Sequence, residues 1–144
     1  MIAVDTNLLV YAHRLDCEWN EPAHAGIARL ATGAWAIPWP CLYEFVAIVT
    51  HPRIYDPPST LAQVIEQIEA WLESPGIVLL AEHDAHWPNL RAVMEAGRVA
   101  GPLVHDARIA ALCRSHSIRE LWTADRDFSR FPELRTRNPL AEAG

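Results

Sequence analysis

Apolar and polar positions follow one another in short blocks whose lengths and periods predict strands and helices in turn. Ile2, Ala3 and Val4 form a brief apolar run suited to a buried strand. It ends at Asp5, Thr6 and Asn7, residue types that cap helices and make turns. Residues 8–13 then read as a helix. A second helix begins near Asn20, with Pro22 in its first turn and Gly33 closing it. Residues 35–38 read as a strand, 41–50 as a buried helix halted by Pro52, and 53–58 as loop. Thr60 and Gln63 make a capping-box pair. Behind them Leu61, Val64, Ile65, Ile68 and Leu72 recur at helical spacing, a stripe expected to face the core for most of its length. Residues 77–80 are a further strand, 84–96 a helix with Gly97 as its stop, and 104–116 a helix. A strand over 120–123 ends in the polar turn Ala124-Asp125-Arg126-Asp127, and a last short strand is expected near 134–136.

Short strands alternating with helices point to an α/β fold with a mostly parallel sheet. No repeat or linker divides the 144 residues, so one domain over 1–144 is expected. A chain of that length can bury a core without disulfide staples. The 51% hydrophobic and 21% charged content excludes a disordered chain. No apolar run approaches the ~20 residues that span a bilayer. The sequence starts at Met1 and reaches Asp5 at once, so no secretory leader is expected. Cys17, Cys41 and Cys113 are an odd, widely spaced set with no CxxC. They argue against a disulfide framework or a structural zinc site, suit a reducing cytoplasm, and are expected to be small apolar side chains.

Charge complicates the picture. The formal net charge is −6, and all 12 basic side chains are Arg. An acidic chain lacks the basic footprint usual for nucleic-acid binding. A cluster of metal-binding carboxylates would make the formal count too negative, because each divalent ion returns two charges.

Acids stand at four places where the local pattern asks for something else. Asp5 ends the first strand. Glu44 is the only charged residue between Ala36 and Thr50. Asp106 shares a helix face with Ile109, Ala110 and Cys113. Asp125 follows the last predicted central strand, with Asp127 two residues on. Each has an ordinary explanation: a cap at Asp5, a solvent-facing or Arg-paired Glu44, a first-turn acid at Asp106, turn residues at Asp125 and Asp127. Together they say more. Functional groups of an open parallel sheet gather beyond the carboxyl ends of its strands. Two carboxylates about 5 Å apart repel by about 3 kcal/mol at an effective dielectric near 20. Few Arg residues are close in sequence, although Arg108 and Arg126 could approach. A hard divalent cation such as Mg²⁺ or Mn²⁺ is the simplest compensation. Two ions about 4 Å apart would suit an in-line phosphoryl displacement, one activating water and the other stabilising the leaving oxygen.

The segment from Val4 to Ala12, VDTNLLVYA, resembles the opening of PIN-domain nucleases, and more narrowly of VapC toxins from toxin–antitoxin pairs. Glu44, the segment His105 to Ala111 (HDARIAA) and the segment Thr123 to Phe128 (TADRDF) match the family's remaining motifs in order. The resemblance spans nearly the whole chain. It implies a three-layer α/β/α sandwich with a central parallel sheet and an Mg²⁺- or Mn²⁺-dependent endoribonuclease. Carried over by position, Asp5, Glu44, Asp106 and Asp125 are the expected catalytic carboxylates and metal ligands, Asp5 and Asp106 the most direct. Asp127 matches a position that contributes in some members. Thr6 and Thr123 are expected to orient carboxylates by hydrogen bonding. The resemblance also implies a homodimer and a cognate antitoxin that occupies the acidic groove.

Other readings find little support. A receiver domain needs a Lys, and the chain has none. A haloacid-dehalogenase phosphatase needs an Asp where Asn7 stands. There is no GxxxxGK[ST] loop and no GxGxxG. His83 and His86, three apart, read as surface or capping residues, and catalysis is not expected to depend on any His. Trp19, Trp39 and Trp87 could stack on unpaired bases, with core or interface packing as the alternative. Arg53, Arg91, Arg98, Arg108 and Arg126 are candidates to hold an RNA backbone. The alternative function is a non-catalytic PIN-like module that acts through partner binding.

Overall fold

A computed structural model describes residues 1–141. Five parallel strands form one sheet in the order β3-β2-β1-β4-β5, with β1 at Ile2–Val4, β2 at Trp35–Pro38, β3 at Ile77–Leu80, β4 at Glu120–Trp122 and β5 at Thr136–Arg137. The helices are α1 (Thr6–His13), α2 (Asn20–Leu30), α3 (Trp39–Val49), α4 (Leu61–Leu72), α5 (His86–Gly97) and α6 (Leu103–Ser115), followed by a 3-10 turn over Arg126–Arg130. The crossovers through α1 to α4 step the chain from β1 to β2 to β3. Those through α5 and α6 carry it back past β1 to β4. Right-handed crossovers in opposite directions place the two helix sets on opposite faces, which makes three layers. Because β2 leaves β1 on one side and β4 arrives on the other, the connectivity reverses between β1 and β4. A crevice opens at such a reversal, beyond the carboxyl ends.

The central strands are buried on both faces, so they read as continuous apolar runs rather than alternating ones. Ala3, Val4, Trp35, Ala36, Ile37 and Leu121 have no exposed surface. The edge strand β5 is exposed and carries Arg137, the kind of residue that blunts an unpaired edge. Asp5 caps α1 by accepting from the Thr6 N–H, and both halves of the Thr60–Gln63 capping box are made.

Four expectations need correction. First, α3 begins at Trp39, not at residue 41, because Pro40 is tolerated in a first turn. It is also not buried all round: Trp39, Tyr43, Glu44 and Ala47 are exposed. Second, most of the α4 stripe does not face the core, although Ile68 packs partly buried against it. Val64 is buried, whereas Leu61, Ile65 and Leu72 are 64%, 47% and 38% exposed. Periodicity reports that a helix has an apolar side, not that another element covers it. Third, the left-handed residue that ends α5 is Arg98 (φ 49°), not Gly97. Gly97 serves close packing instead, since a Cβ there would lie 2.7 Å from the Phe131 ring. Fourth, β5 lies at 136–137, one or two residues later than expected.

Candidate active site

Register delivers the site's first groups. β1 and β4 pair from Ile2↔Glu120 to Val4↔Trp122, so Asp5 and Thr123 leave the sheet side by side. The Asp5 N–H still donates to Trp122 O at 2.9 Å, which continues the ladder by one bond. The Asp5 carboxylate is buried, and both its oxygens are engaged. Oδ1 accepts from Thr6 N–H at 2.8 Å and from the Cys41 thiol at 3.5 Å. Oδ2 accepts from the Thr123 hydroxyl at 2.7 Å. Thr123 Oγ1 also accepts from the Asp125 N–H at 3.0 Å, and Asp125 Oδ1 caps the 3-10 turn by accepting from Asp127 N–H at 2.8 Å. Asn7 Oδ1 accepts from Ala124 N–H at 3.3 Å. From α3, Glu44 Oε2 accepts the Thr6 hydroxyl at 2.8 Å. Both threonines therefore orient carboxylates as expected.

Asp106, in the first turn of α6, meets the acids beyond β4. Asp106, Asp125 and Asp127 each offer one oxygen, and the three atoms lie within 4.8 Å of one another. Asp5 and Glu44 lie outside this trio, but their charge still acts on Asp106. Burial pushes the Asp106 carboxyl up to about 7, and the charges of Asp125, Asp5, Asp127 and Glu44 push in the same direction. Asp5 is also raised, mainly by burial, against the lowering effect of its Thr123, Thr6 and Cys41 hydrogen bonds. The five carboxylates thus share one negative field. Among the described residues, no ion pair reaches any of them.

The Arg residues go elsewhere. Arg108 pairs with Glu82, Nη2 to Oε1 at 2.6 Å, rather than with the neighbouring Asp106. Arg91 pairs with Glu95. Arg53, Arg98 and Arg126 are exposed. Glu44 is exposed too, so it escapes the desolvation that a buried acid on α3 would suffer. Its link to the site is the Thr6 hydrogen bond. Cys41 and Cys113 are buried, and burial pushes the Cys113 thiol up to about 12, which leaves them packing groups rather than nucleophiles. His83 is an exposed residue of the turn before α5, its Nδ1 accepting from Ala85 N–H at 3.1 Å. Sequence reading missed two supports. Cys41 was legible only as a small apolar residue, and Asn7 only as a turn residue.

The switch-point crevice and its carboxylates define a class of protein, and the comparison with known families agrees. The PIN domain profile matches residues 2–134, and the chain belongs to the PIN domain family. More particularly, it is similar to Ribonuclease VapC48 of Mycobacterium tuberculosis (strain ATCC 25618 / H37Rv), at 30% identity over 139 residues, covering 95% of this chain and 96% of that protein. Ribonuclease VapC43 of the same strain is 32% identical over 142 residues, covering 97% of this chain and 96% of that protein. Among solved structures, VapBC2 from Rickettsia felis bound to a DNA fragment from its promoter shares the fold, with a TM-score of 0.64 and 21% identity, covering 96% of this chain and 98% of that one.

Proposed function

We propose that the protein is a metal-dependent endoribonuclease and the toxin of a toxin–antitoxin pair, with residues 1–144 acting as one nuclease domain. The observation that carries this reading is the trio Asp106, Asp125 and Asp127. Their oxygens converge within 4.8 Å, Asp5 and Glu44 add to the same field, and the chain is similar along its length to VapC ribonucleases. A donor set made only of carboxylate oxygen fits a hard divalent ion and does not suit a softer metal.

Asp5, Glu44, Asp106, Asp125 and Asp127 are the residues that would hold Mg²⁺ or Mn²⁺, and Asp5, Glu44, Asp106 and Asp125 are the catalytic carboxylates. When bound, the ion neutralises the cluster, polarises the phosphodiester and makes water a nucleophile near neutral pH. The protein's own part is to hold the acids in place. Thr123 fixes Asp5 and Asp125 relative to each other. Thr6 joins Asp5, through its N–H, to Glu44, through its hydroxyl. Burial and the neighbouring carboxylates raise the Asp106 carboxyl to about 7, so near neutral pH a cation competes with a proton there.

RNA is the substrate, a cognate antitoxin is the protein partner, and the chain acts as a homodimer in the cytoplasm. The deciding experiment incubates antitoxin-free protein with a mixed cellular RNA pool in Mg²⁺, Mn²⁺ or EDTA. An Asp5→Asn/Asp106→Asn variant controls for contaminating nuclease. Discrete cleavage that needs metal and vanishes in the variant is the expected result. A folded protein that neither cleaves nor gains thermal stability from metal would instead be a non-catalytic partner-binding module.

A further inference from the structure

Helix α3 meets the site through two residues three positions apart, Cys41 and Glu44, which share one side of the helix. Glu44 takes the hydroxyl of Thr6 at 2.8 Å. Cys41, which has no exposed surface, donates its thiol to Asp5 Oδ1 at 3.5 Å. Two successive residues where β1 passes into α1 are thus held by neighbouring side chains of α3. A buried thiol keeps its proton, so sulfur is the donor.

An ionised carboxylate offers about four lone pairs, two on each oxygen. On Asp5, Oδ1 takes two donors, the Thr6 N–H at 2.8 Å and the Cys41 thiol at 3.5 Å. Oδ2 takes one, the Thr123 hydroxyl at 2.7 Å. Among the described residues no other hydrogen bond reaches either oxygen, so the lone pair left for a cation is on Oδ2. That oxygen is the one on the β4 side: the Thr123 hydroxyl oxygen accepts the Asp125 N–H, and Asp125 belongs to the trio with Asp106 and Asp127. The residue type suits the role. An apolar side chain of similar size would pack in the same place but leave the buried Oδ1 with a single donor. Cys adds the second donor while still packing as a small apolar group.

We propose that Cys41 is a positioning residue for the nuclease: its thiol occupies the second lone pair of Asp5 Oδ1, so that Asp5 meets a divalent ion through Oδ2 alone, on the side of Asp106, Asp125 and Asp127. This deepens the endoribonuclease reading and rests on it. Cys41 touches neither the ion nor the RNA and acts through Asp5. Carboxylates that hold an ion are themselves hydrogen-bonded, and loss of such a partner weakens metal binding by about ten- to a hundredfold.

The test titrates Mn²⁺ alone into the full chain, follows the free ion by its electron paramagnetic resonance signal, and needs no RNA. Cys41→Ala and Cys41→Val lack the donor and should bind Mn²⁺ about tenfold more weakly than the unmutated chain. Cys41→Ser keeps a donor and should bind it nearly as well. A packing role would reverse that order, because Val fills the volume whereas Ser brings a hydroxyl into the core. An infrared measurement reads the bond itself. The S–H stretch falls in a window clear of other protein bands, and the band that Cys41→Ser deletes is that of Cys41. Asp5→Asn should move this band to higher frequency, since an amide oxygen accepts more weakly than a carboxylate. Thermal melts in EDTA establish which variants are folded, and where Ala and Val do not fold the infrared band decides alone. Undiminished Mn²⁺ binding by folded Cys41→Ala overturns the proposal and leaves the nuclease reading standing. So does a Ser variant that loses as much as the Ala variant, or a Cys41 band that Asp5→Asn does not move. An unmutated chain that binds no Mn²⁺ removes the metal-dependent reading, and this proposal with it.

Discussion

The hydroxyl of Thr123 donates to Asp5 Oδ2 at 2.7 Å across 118 positions of sequence. The Thr123 hydroxyl oxygen in turn accepts the Asp125 N–H at 3.0 Å. One side chain thus ties the carboxyl end of β1 to the loop after β4, the point where the sheet's connectivity reverses. Packing alone would leave the buried Asp5 carboxylate half satisfied, and this bond completes it.

Thr123→Val keeps the shape and removes the donor. The variant should lose about 1–3 kcal/mol of stability, the cost of an unsatisfied buried oxygen. Thr123→Ser should retain most of it. Urea unfolding in EDTA checks both. Equal losses in the two variants would assign the effect to packing of the threonine methyl instead.

Without metal, acidity should strengthen the fold. Asp106 sits at about 7 in the folded chain against an ordinary 3.8, so the folded state binds the extra proton between those values. Its contribution is fully present below 3.8 and is lost as pH rises through about 7. Asp5, raised by burial, acts in the same direction. In EDTA the melting temperature should therefore fall between about pH 5 and about pH 8, and saturating Mg²⁺ should reverse much of the fall. A melting temperature that climbs over this interval in EDTA would contradict the shared negative field.

Asp106→Asn should separate stability from metal response. It removes one charge from a like-charged cluster while keeping the side chain's shape. Above pH 7 the metal-free variant should melt higher than the parent, and its gain from Mg²⁺ should shrink or vanish. Thermal melts with and without metal read both effects. A variant that melts lower without metal yet keeps the full Mg²⁺ gain would take Asp106 out of the ligand set.

Uptake of the ion should expel a proton. With Asp106 near half-protonation at neutral pH, binding should release about half a proton per site at pH 7, less as pH rises. Calorimetry in two buffers of different ionisation enthalpy measures the release directly. No release at pH 7 would mean that the ion does not engage Asp106.

Much of this architecture is legible in the sequence because local chemistry and global position agree. The run Ile2-Ala3-Val4 followed by Asp5 is at once a strand, a strand end and a helix cap, and the structure uses it as all three. The capping box at Thr60 and Gln63 is equally local. Features that depend on partners far along the chain are less legible. Arg108 lies two residues from Asp106, yet Glu82, 26 positions earlier, holds it. Asp127 joins the tight trio because a 3-10 turn follows Asp125, whereas Asp5 turns both oxygens to its own hydrogen bonds. Spacing alone does not rank those two acids. Tyr43 carries no signal until α3 is seen to present it outward beside Trp39.

The apolar side of α4 gives a prediction of a different kind, because its residues differ in burial while sharing one stripe. Val64 is 1% exposed and Ile65 is 47% exposed. Val64→Ala should cost about 2 kcal/mol through lost burial and the cavity left behind. Ile65→Ser should change the stability of the isolated chain by no more than about 0.5 kcal/mol. The comparison is informative at two protein concentrations. In a monomer the Ile65→Ser melt does not move with dilution. If a second copy covers this face, the parent melting temperature falls on dilution and the Ile65→Ser variant loses that dependence, since association stabilises by mass action. Thermal melts of parent, Val64→Ala and Ile65→Ser over a hundredfold dilution series, about 0.1 to 10 µM, separate a core residue from one that waits for a partner.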